Sequence, residues 1–88
     1  MKIWTKIING EKIIKDNVHI LTKLDEPIIY SSLEEICLIL DEPLPILLDK
    51  HMRHLNQFSS TTFLPSDFIE DVHFTKMVLE IFDDNPKK

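Results

Sequence analysis

The sequence predicts an α+β domain, in which an antiparallel sheet made from an N-terminal β-hairpin and a C-terminal strand is packed by one main helix and one short helix. Three observations favour this class. The turn signal Asn9-Gly10 separates two apolar runs, residues 25–41 carry an apolar stripe with helical spacing, and residues 75–82 alternate apolar and polar side chains. A chain of 88 residues has the length of a single domain.

The first element, residues 2–21, has the pattern of a β-hairpin, because Asn and Gly tolerate the positive φ angles of a tight turn. Whether Ile7 pairs with Lys12 or with Ile14, the same residues share each face of the hairpin, because the two registers differ by two residues. The predicted core face holds Ile3, Thr5, Ile7, Ile14, Val18 and Ile20. The predicted second face holds Trp4, Ile8, Ile13, His19 and Leu21 among Lys6, Lys15 and Asn17. This second face is more apolar than a solvated face should be, so we expect something to cover part of it.

Residues 25–41 predict the main helix. Asp25 and Glu26 suit its start, where a carboxylate can accept free N–H groups and favours the helix dipole. Pro27 fits the first turn, and Pro43 ends the helix because the residue before a proline is pushed out of the α region. The stripe that faces the sheet consists of Ile29, Leu33, Ile36, Cys37 and Leu40.

The next segment has weaker signals. Residues 46–48 predict a short buried strand or an extended strap after two prolines. Asp49 is the predicted N-cap of a short helix over residues 50–58, which places Met52, Leu55 and Phe58 on one face. Residues 59–62 predict a polar connector.

The end of the chain completes the predicted sheet. Residues 65–71 predict one more helical turn opened by a proline, and residues 75–82 predict the last strand. The segment 43–71 is expected to wrap an edge of the sheet or to cover its second face. Residues 83–88 predict a frayed, charged tail.

Composition limits the possible functions. The chain has 15 acidic and 10 basic residues and a net charge of −5, which counts against nucleic-acid binding because that binding depends on cations at phosphates. A lone cysteine on the helix stripe indicates a reducing compartment. No charged-then-apolar leader opens the chain, and no apolar run approaches the ~20 residues of a membrane span. We therefore expect a soluble cytoplasmic protein with no membrane partner.

The sharpest cluster of chemically active side chains is the segment that holds His51 and His54. Their spacing places both rings on one helix face, where they could hold an anion with Lys50 and Arg53, or a metal. The candidates for the further metal ligands are Asp49, Cys37, His19 and His73. A structural zinc site needs four ligands at defined spacings, and here only one pair has such a spacing. The favoured prediction is two half-exposed histidines on the polar side of the helix, with no metal, cofactor or catalytic residue.

The chain resembles a group of short, uncharacterised bacterial proteins over about residues 2–81. The residues that carry this resemblance are Trp4-Thr5-Lys6-Ile7-Ile8, Leu33-Glu34-Glu35-Ile36-Cys37, Pro45-Ile46, Phe58, Thr61, Phe63 and Phe68-Ile69-Glu70. The resemblance implies a small stand-alone cytoplasmic protein. It brings no known activity, cofactor or catalytic residue.

These observations predict a non-enzymatic protein-interaction module. The possible interaction face contains Trp4, Ile8 and Ile13, and the expected partner is another protein or a second copy of the chain. The alternative prediction is a metal- or anion-binding protein that uses the segment of His51 and His54.

Overall fold

The structure, a computed structural model, describes residues 1–83. It is an α+β fold with a four-stranded antiparallel sheet in the order β2-β1-β4-β3, so the predicted fold class is confirmed. Its elements in chain order are β1 (Lys2–Asn9), β2 (Lys12–Ile20), α1 (Glu26–Leu40), α2 (Asp49–Phe58), β3 (Ser60–Phe63) and β4 (Lys76–Phe82). Apart from Asp83, the tail predicted to fray lies outside the described residues.

The N-terminal hairpin forms as predicted, but its register contains a β-bulge. Gly10 adopts a φ of 66°, which glycine tolerates at no steric cost, and Asn9 pairs with Lys12 across the turn. The register then shifts, because Ile8 pairs with Ile13 whereas Ile7 pairs with Lys15. Ile14 is therefore an extra residue in β2.

The bulge reverses the predicted faces of β2 beyond Ile14. A shift of one residue moves each later side chain to the opposite face of the sheet. The prediction that Val18 and Ile20 lie on the core face is wrong: they pair with Trp4 and Lys2, which lie on the other side. The core side of β2 instead holds Lys15, Asn17 and His19 opposite Ile7, Thr5 and Ile3. Ile14 is also exposed, and Leu21, predicted on the second face, is buried in the core.

Helix α1 follows its sequence signals closely. The Ile28 N–H donates to Asp25 Oδ1 at 3.0 Å, which confirms the predicted N-cap. The last helical residue is Leu40, and the C-cap Asp41 has a φ of 58°. Every residue of the predicted stripe is buried, Cys37 included, and Ser32 is buried with them. The stripe therefore packs on the sheet as predicted.

The segment between the helices and the last strand departs from prediction in several places. Of the two arrangements predicted for residues 46–48, the strand is wrong and the strap remains, since only a single bridge joins Pro45 to Phe68. The N-cap of α2 is Leu48 rather than Asp49, and Phe58 is exposed instead of joining Leu55 in the core.

The predicted polar connector at residues 59–62 is instead strand β3, paired with β4. The predicted turn over residues 65–71 is shorter, a 3-10 helix over Pro65–Asp67.

Both helices lie on the same side of the sheet. Buried side chains from α1 and α2 join the inward-facing residues of the strands in one core cluster: Ile3, Ile7, Leu21, Ile29, Leu33, Ile36, Cys37, Leu40, Leu55, Phe63, Phe68, Phe74, Met77 and Leu79. Two arrangements were predicted for residues 43–71. The first, in which the segment wraps an edge of the sheet, is confirmed, because the segment supplies the edge strand β3. The alternative, cover of the second face, is wrong, because apolar side chains remain exposed there.

Candidate interaction surface

The uncovered side of the sheet, which we call the outer face, carries alternate residues of its strands. Their registers align them in rows across the strands. The first row contains Ile20, Lys2 and Phe82; the second contains Val18, Trp4, Glu80 and Ser60; the third contains Asp16, Lys6, Val78 and Thr62; the fourth contains Ile13, Ile8 and Lys76. The outer face thus mixes apolar side chains with both signs of charge.

The apolar side chains of the outer face keep substantial contact with solvent. Ile20 is 71% exposed, and Val18 and Ile13 are each 51% exposed, while Trp4 and Phe82 are half-buried. A shallow depression of about 470 Å³ lies among Trp4, Asp16, Val18, Glu80 and Phe82. Clusters of exposed apolar side chains with a polar surround mark interaction sites in many proteins.

The polar groups of the outer face contact one another. Trp4 Nε1 donates to Asp16 Oδ2 at 2.9 Å, and Lys6 Nζ donates to Glu80 Oε1 at 2.7 Å. The Lys6 ammonium also lies 4.3 Å from the centre of the Trp4 ring, at cation–π distance. These contacts hold the indole in place and satisfy the charges at the centre of the face.

The predicted interaction residues do share one surface. Trp4, Ile8 and Ile13 all lie on the outer face, where Ile8 pairs directly with Ile13. Sequence reasoning missed Val18 and Ile20, which the bulge brings to this face. It also made no use of Val78 and Phe82, whose alternation with buried Met77 and Leu79 was the available signal.

The two histidines of α2 lie in different environments. The prediction that both are half-exposed is wrong for His51, which is completely buried against the Phe63 ring at 4.3 Å between centroids. His54 is half-buried, and its Nδ1 lies 3.4 Å from Thr61 Oγ1. Asp49 is exposed at the start of the helix. Among residues 1–83, no group of at least three His, Cys, Asp or Glu side chains is arranged to hold a metal ion.

His51 acts as a capping residue. Its Nδ1 accepts the Leu48 N–H at 2.9 Å, so the proton of the neutral ring lies on Nε2. That Nε2 has no hydrogen-bond partner and lies 3.7 Å from Asp67 Oδ2. Burial lowers the pKa of His51, although the Asp67 carboxylate acts in the opposite direction. The ring is therefore neutral and structural.

Asp67 is likewise a capping residue, at the 3-10 helix over Pro65–Asp67. Its Oδ2 accepts the Leu64 N–H at 2.9 Å, and its backbone carbonyl accepts the Ile46 N–H at 2.8 Å. Lys50 Nζ lies 4.0 Å from the other carboxylate oxygen. This buried polar cluster fastens residues 46–48 and 64–67 to α2, a structural role that sequence reasoning missed.

A larger and more acidic groove of about 840 Å³ runs beside the C-terminal half of α1. Its carboxylates are Glu34, Glu35, Asp41, Glu42 and Glu70. Glu42 pairs with Lys15 at 2.7 Å, and Glu35 lies 3.7 Å from the His19 ring. Cys37 lines the groove but is buried, and this burial, together with the Glu42 charge, raises the pKa of its thiol to about 11. Such a thiol is a poor nucleophile.

The fold and the outer face together define a small α+β domain that has one face of its sheet uncovered. Comparison of the chain with protein-family models, with curated proteins and with solved structures found no match. The resemblance to short bacterial proteins therefore stays a prediction. No helix among residues 1–83 is long and apolar enough to cross a membrane.

Proposed function

We propose that this chain is a non-enzymatic protein-interaction module that binds through the outer face of its sheet. One observation carries the proposal: neither helix covers the apolar side chains of that face, which are Trp4, Ile8, Ile13, Val18, Ile20, Val78 and Phe82. Burial of apolar surface is favourable by about 25 cal/mol per Å². A partner that covers this face therefore gains binding energy without rearranging the domain.

The chemistry of the reactive side chains supports a binding role over catalysis. A threonine hydroxyl does contact a histidine ring, Thr61 Oγ1 with His54 Nδ1, but Thr61 is 4% exposed and a substrate cannot reach it. The raised pKa of Cys37 keeps that thiol protonated near neutral pH. The acidic balance of the chain supports a protein partner over a nucleic acid, and the buried free thiol supports a cytoplasmic location.

Site-specific photo-crosslinking tests this assignment. A photoreactive amino acid placed at Ile13 or Val18 is introduced on the outer face, and the matched control is Leu38, an apolar residue of α1 that is 82% exposed. After irradiation in the organism that encodes the chain, we expect defined adducts, identified by mass spectrometry, at Ile13 and Val18 only. Equal adducts at Leu38, or none at the outer face, would contradict the proposed function.

A further inference from the structure

We propose that the partner of the outer face is the same face of a second copy of this chain. This inference rests on the proposed function and names the binding partner. Three properties of the face support a second copy over an unrelated protein: the balance of its charges, its area, and the symmetry of its central strands.

The charges of the outer face are nearly balanced, although the whole chain carries −5. Lysines 2, 6 and 76 share the face with Asp16 and Glu80. At its centre, Lys6 pairs with Glu80 and Trp4 with Asp16, so burial leaves these groups with partners. A strongly acidic or strongly basic protein would meet no large excess of opposite charge on the outer face. A second copy presents the same pattern, three lysines against two carboxylates, and meets little net repulsion on this face.

The area of the face matches a small specific dimer. Strands ~4.8 Å apart and a rise of ~3.4 Å per residue give a four-stranded face about 19 Å wide and about 25 Å long. Each copy then contributes about 480 Å², so a face-to-face pair buries about 960 Å², which is in the range of weak, reversible interfaces. Two sheets pack in this way about 10 Å apart in β-sandwiches. We expect a dissociation constant in the micromolar range.

The strand order provides a position for a two-fold axis. The central strands of the sheet are β1 and β4, and an axis between them and parallel to them places β1 of each copy over β4 of the other. Trp4 of one copy then lies over Glu80 of the second copy, because these residues occupy the same row. Lys6 lies one row away, within reach of that carboxylate. The same axis places Phe82 of each copy over Lys2 of the other, and Val18 of each copy over Ser60 of the other.

Sedimentation velocity of the full chain, from about micromolar to about millimolar concentration, tests the dimer. We expect a reversible monomer–dimer equilibrium that Val18→Lys weakens at least about 30-fold, because it buries an ammonium opposite Ser60, which offers no carboxylate partner. Leu38→Lys on α1 is the matched control and should dissociate like the wild type. Circular dichroism verifies that each variant is folded.

A charge exchange tests the placement of β1 over β4. Lys6→Glu and Glu80→Lys each place like charges on the facing strands, so each variant alone should dimerise poorly. An equimolar mixture of the two variants restores opposite charges across both halves of the interface, while the like charges within each chain stay as they were. We expect the mixture to form heterodimers with near wild-type affinity. No recovery on mixing would overturn this axis.

The two proposals fail in different ways. A wild type that stays monomeric up to millimolar concentration overturns the second copy as partner. Dissociation of the dimer by Leu38→Lys, and not by Val18→Lys, also overturns it, because the contact then lies on α1. Loss of photo-crosslinks at Ile13 and Val18 is the separate result that overturns the interaction function itself. A monomeric chain with strong crosslinks to another protein therefore refutes only the dimer.

Discussion

Acid should destabilise this domain through one buried side chain, His51. The ring is neutral in the fold, because Nδ1 accepts the Leu48 N–H and because the side chain has no contact with solvent. Burial lowers its pKa below the ordinary value of 6.5, against the pull of Asp67. The unfolded chain therefore takes up a proton, as the pH falls below 6.5, that the folded chain does not. The contribution of His51 to the free energy of unfolding is fully present above pH 6.5 and is lost as the pH falls below it.

The magnitude follows from proton linkage. A group that is protonated only in the unfolded state lowers the free energy of unfolding by up to about 1.4 kcal/mol per pH unit. Between about pH 8 and about pH 5.5 the loss from His51 is at most about 1.4 kcal/mol, and Asp67 reduces it by partly offsetting the cost of charging the ring. A domain of this size has a total stability of about 5–10 kcal/mol, so the loss is measurable.

Urea unfolding followed by circular dichroism at these two pH values measures the effect. His51→Gln is the informative variant, because a glutamine at this helix position can accept the Leu48 N–H through its side-chain oxygen and does not titrate. We expect the unfolding free energy of the wild type to fall relative to that of His51→Gln from the higher to the lower pH, by at most about 1.4 kcal/mol. His73→Gln, at an exposed histidine, is the control and should follow the wild type. Equal pH slopes for wild type and His51→Gln would refute the reasoning.

Two further predictions concern the packing of α1. Leu33→Asp should abolish the cooperative thermal melt, because it buries an unpaired carboxylate in the core, whereas Glu34→Ala on the exposed side should change stability by less than about 0.5 kcal/mol. A wild-type melt for Leu33→Asp would mean that this face of α1 is not buried. Cys37 should react with a thiol reagent at about pH 8 far more slowly in the folded chain than in urea, because its thiol is buried with a pKa of about 11. Equal rates in the two conditions would show that the folded thiol is accessible.

Local signals were sufficient for the main helix and for the existence of the hairpin. The start of α1 depends on Asp25 and Pro27, whose effects act within one turn, and its buried stripe follows the helical period. β4 was found in the same way, from the apolar residues Met77, Leu79 and Ile81 at alternate positions. Each of these elements is determined by residues close in sequence, and the structure confirms them.

The reversed faces of β2 could not be predicted, because the sequence is compatible with a register that contains the extra residue and with one that does not. Because Ile13 and Ile14 are adjacent, an isoleucine can pair with Ile8 in either register. Contacts from a distant part of the chain select the observed register. Lys15 Nζ donates to the Leu40 carbonyl at 2.8 Å and to Glu42 Oε2 at 2.7 Å, which satisfies an end of α1.

Two further misses have the same origin in distant contacts. The strand β3 is short and polar, and it is a strand only because β4 pairs with it and Phe63 enters the core. His51 looked solvent-exposed because α2 is otherwise polar on most of its surface. Its burial depends on Asp67 and Phe63, which lie beyond the helix. The candidate interaction face was therefore only partly predictable, since its extension to β2 depends on the bulge.

Deletion of Ile14 tests whether the bulge is what sets the faces of β2. Ile14 is the extra residue between the Ile8–Ile13 and Ile7–Lys15 pairs, so removing it leaves both pairs and every later face unchanged. We expect a folded domain that has lost less than about 1 kcal/mol, as measured by urea unfolding. Deletion of Asp16 is the matched control, because the strand must then either keep the bulge and shift its later part by one residue, or lose the bulge. The first arrangement drives Val18 toward the core and the second pulls Lys15 from the end of α1, so the control should be severely destabilised. If both deletions unfold the domain equally, the assignment of Ile14 as the extra residue is wrong.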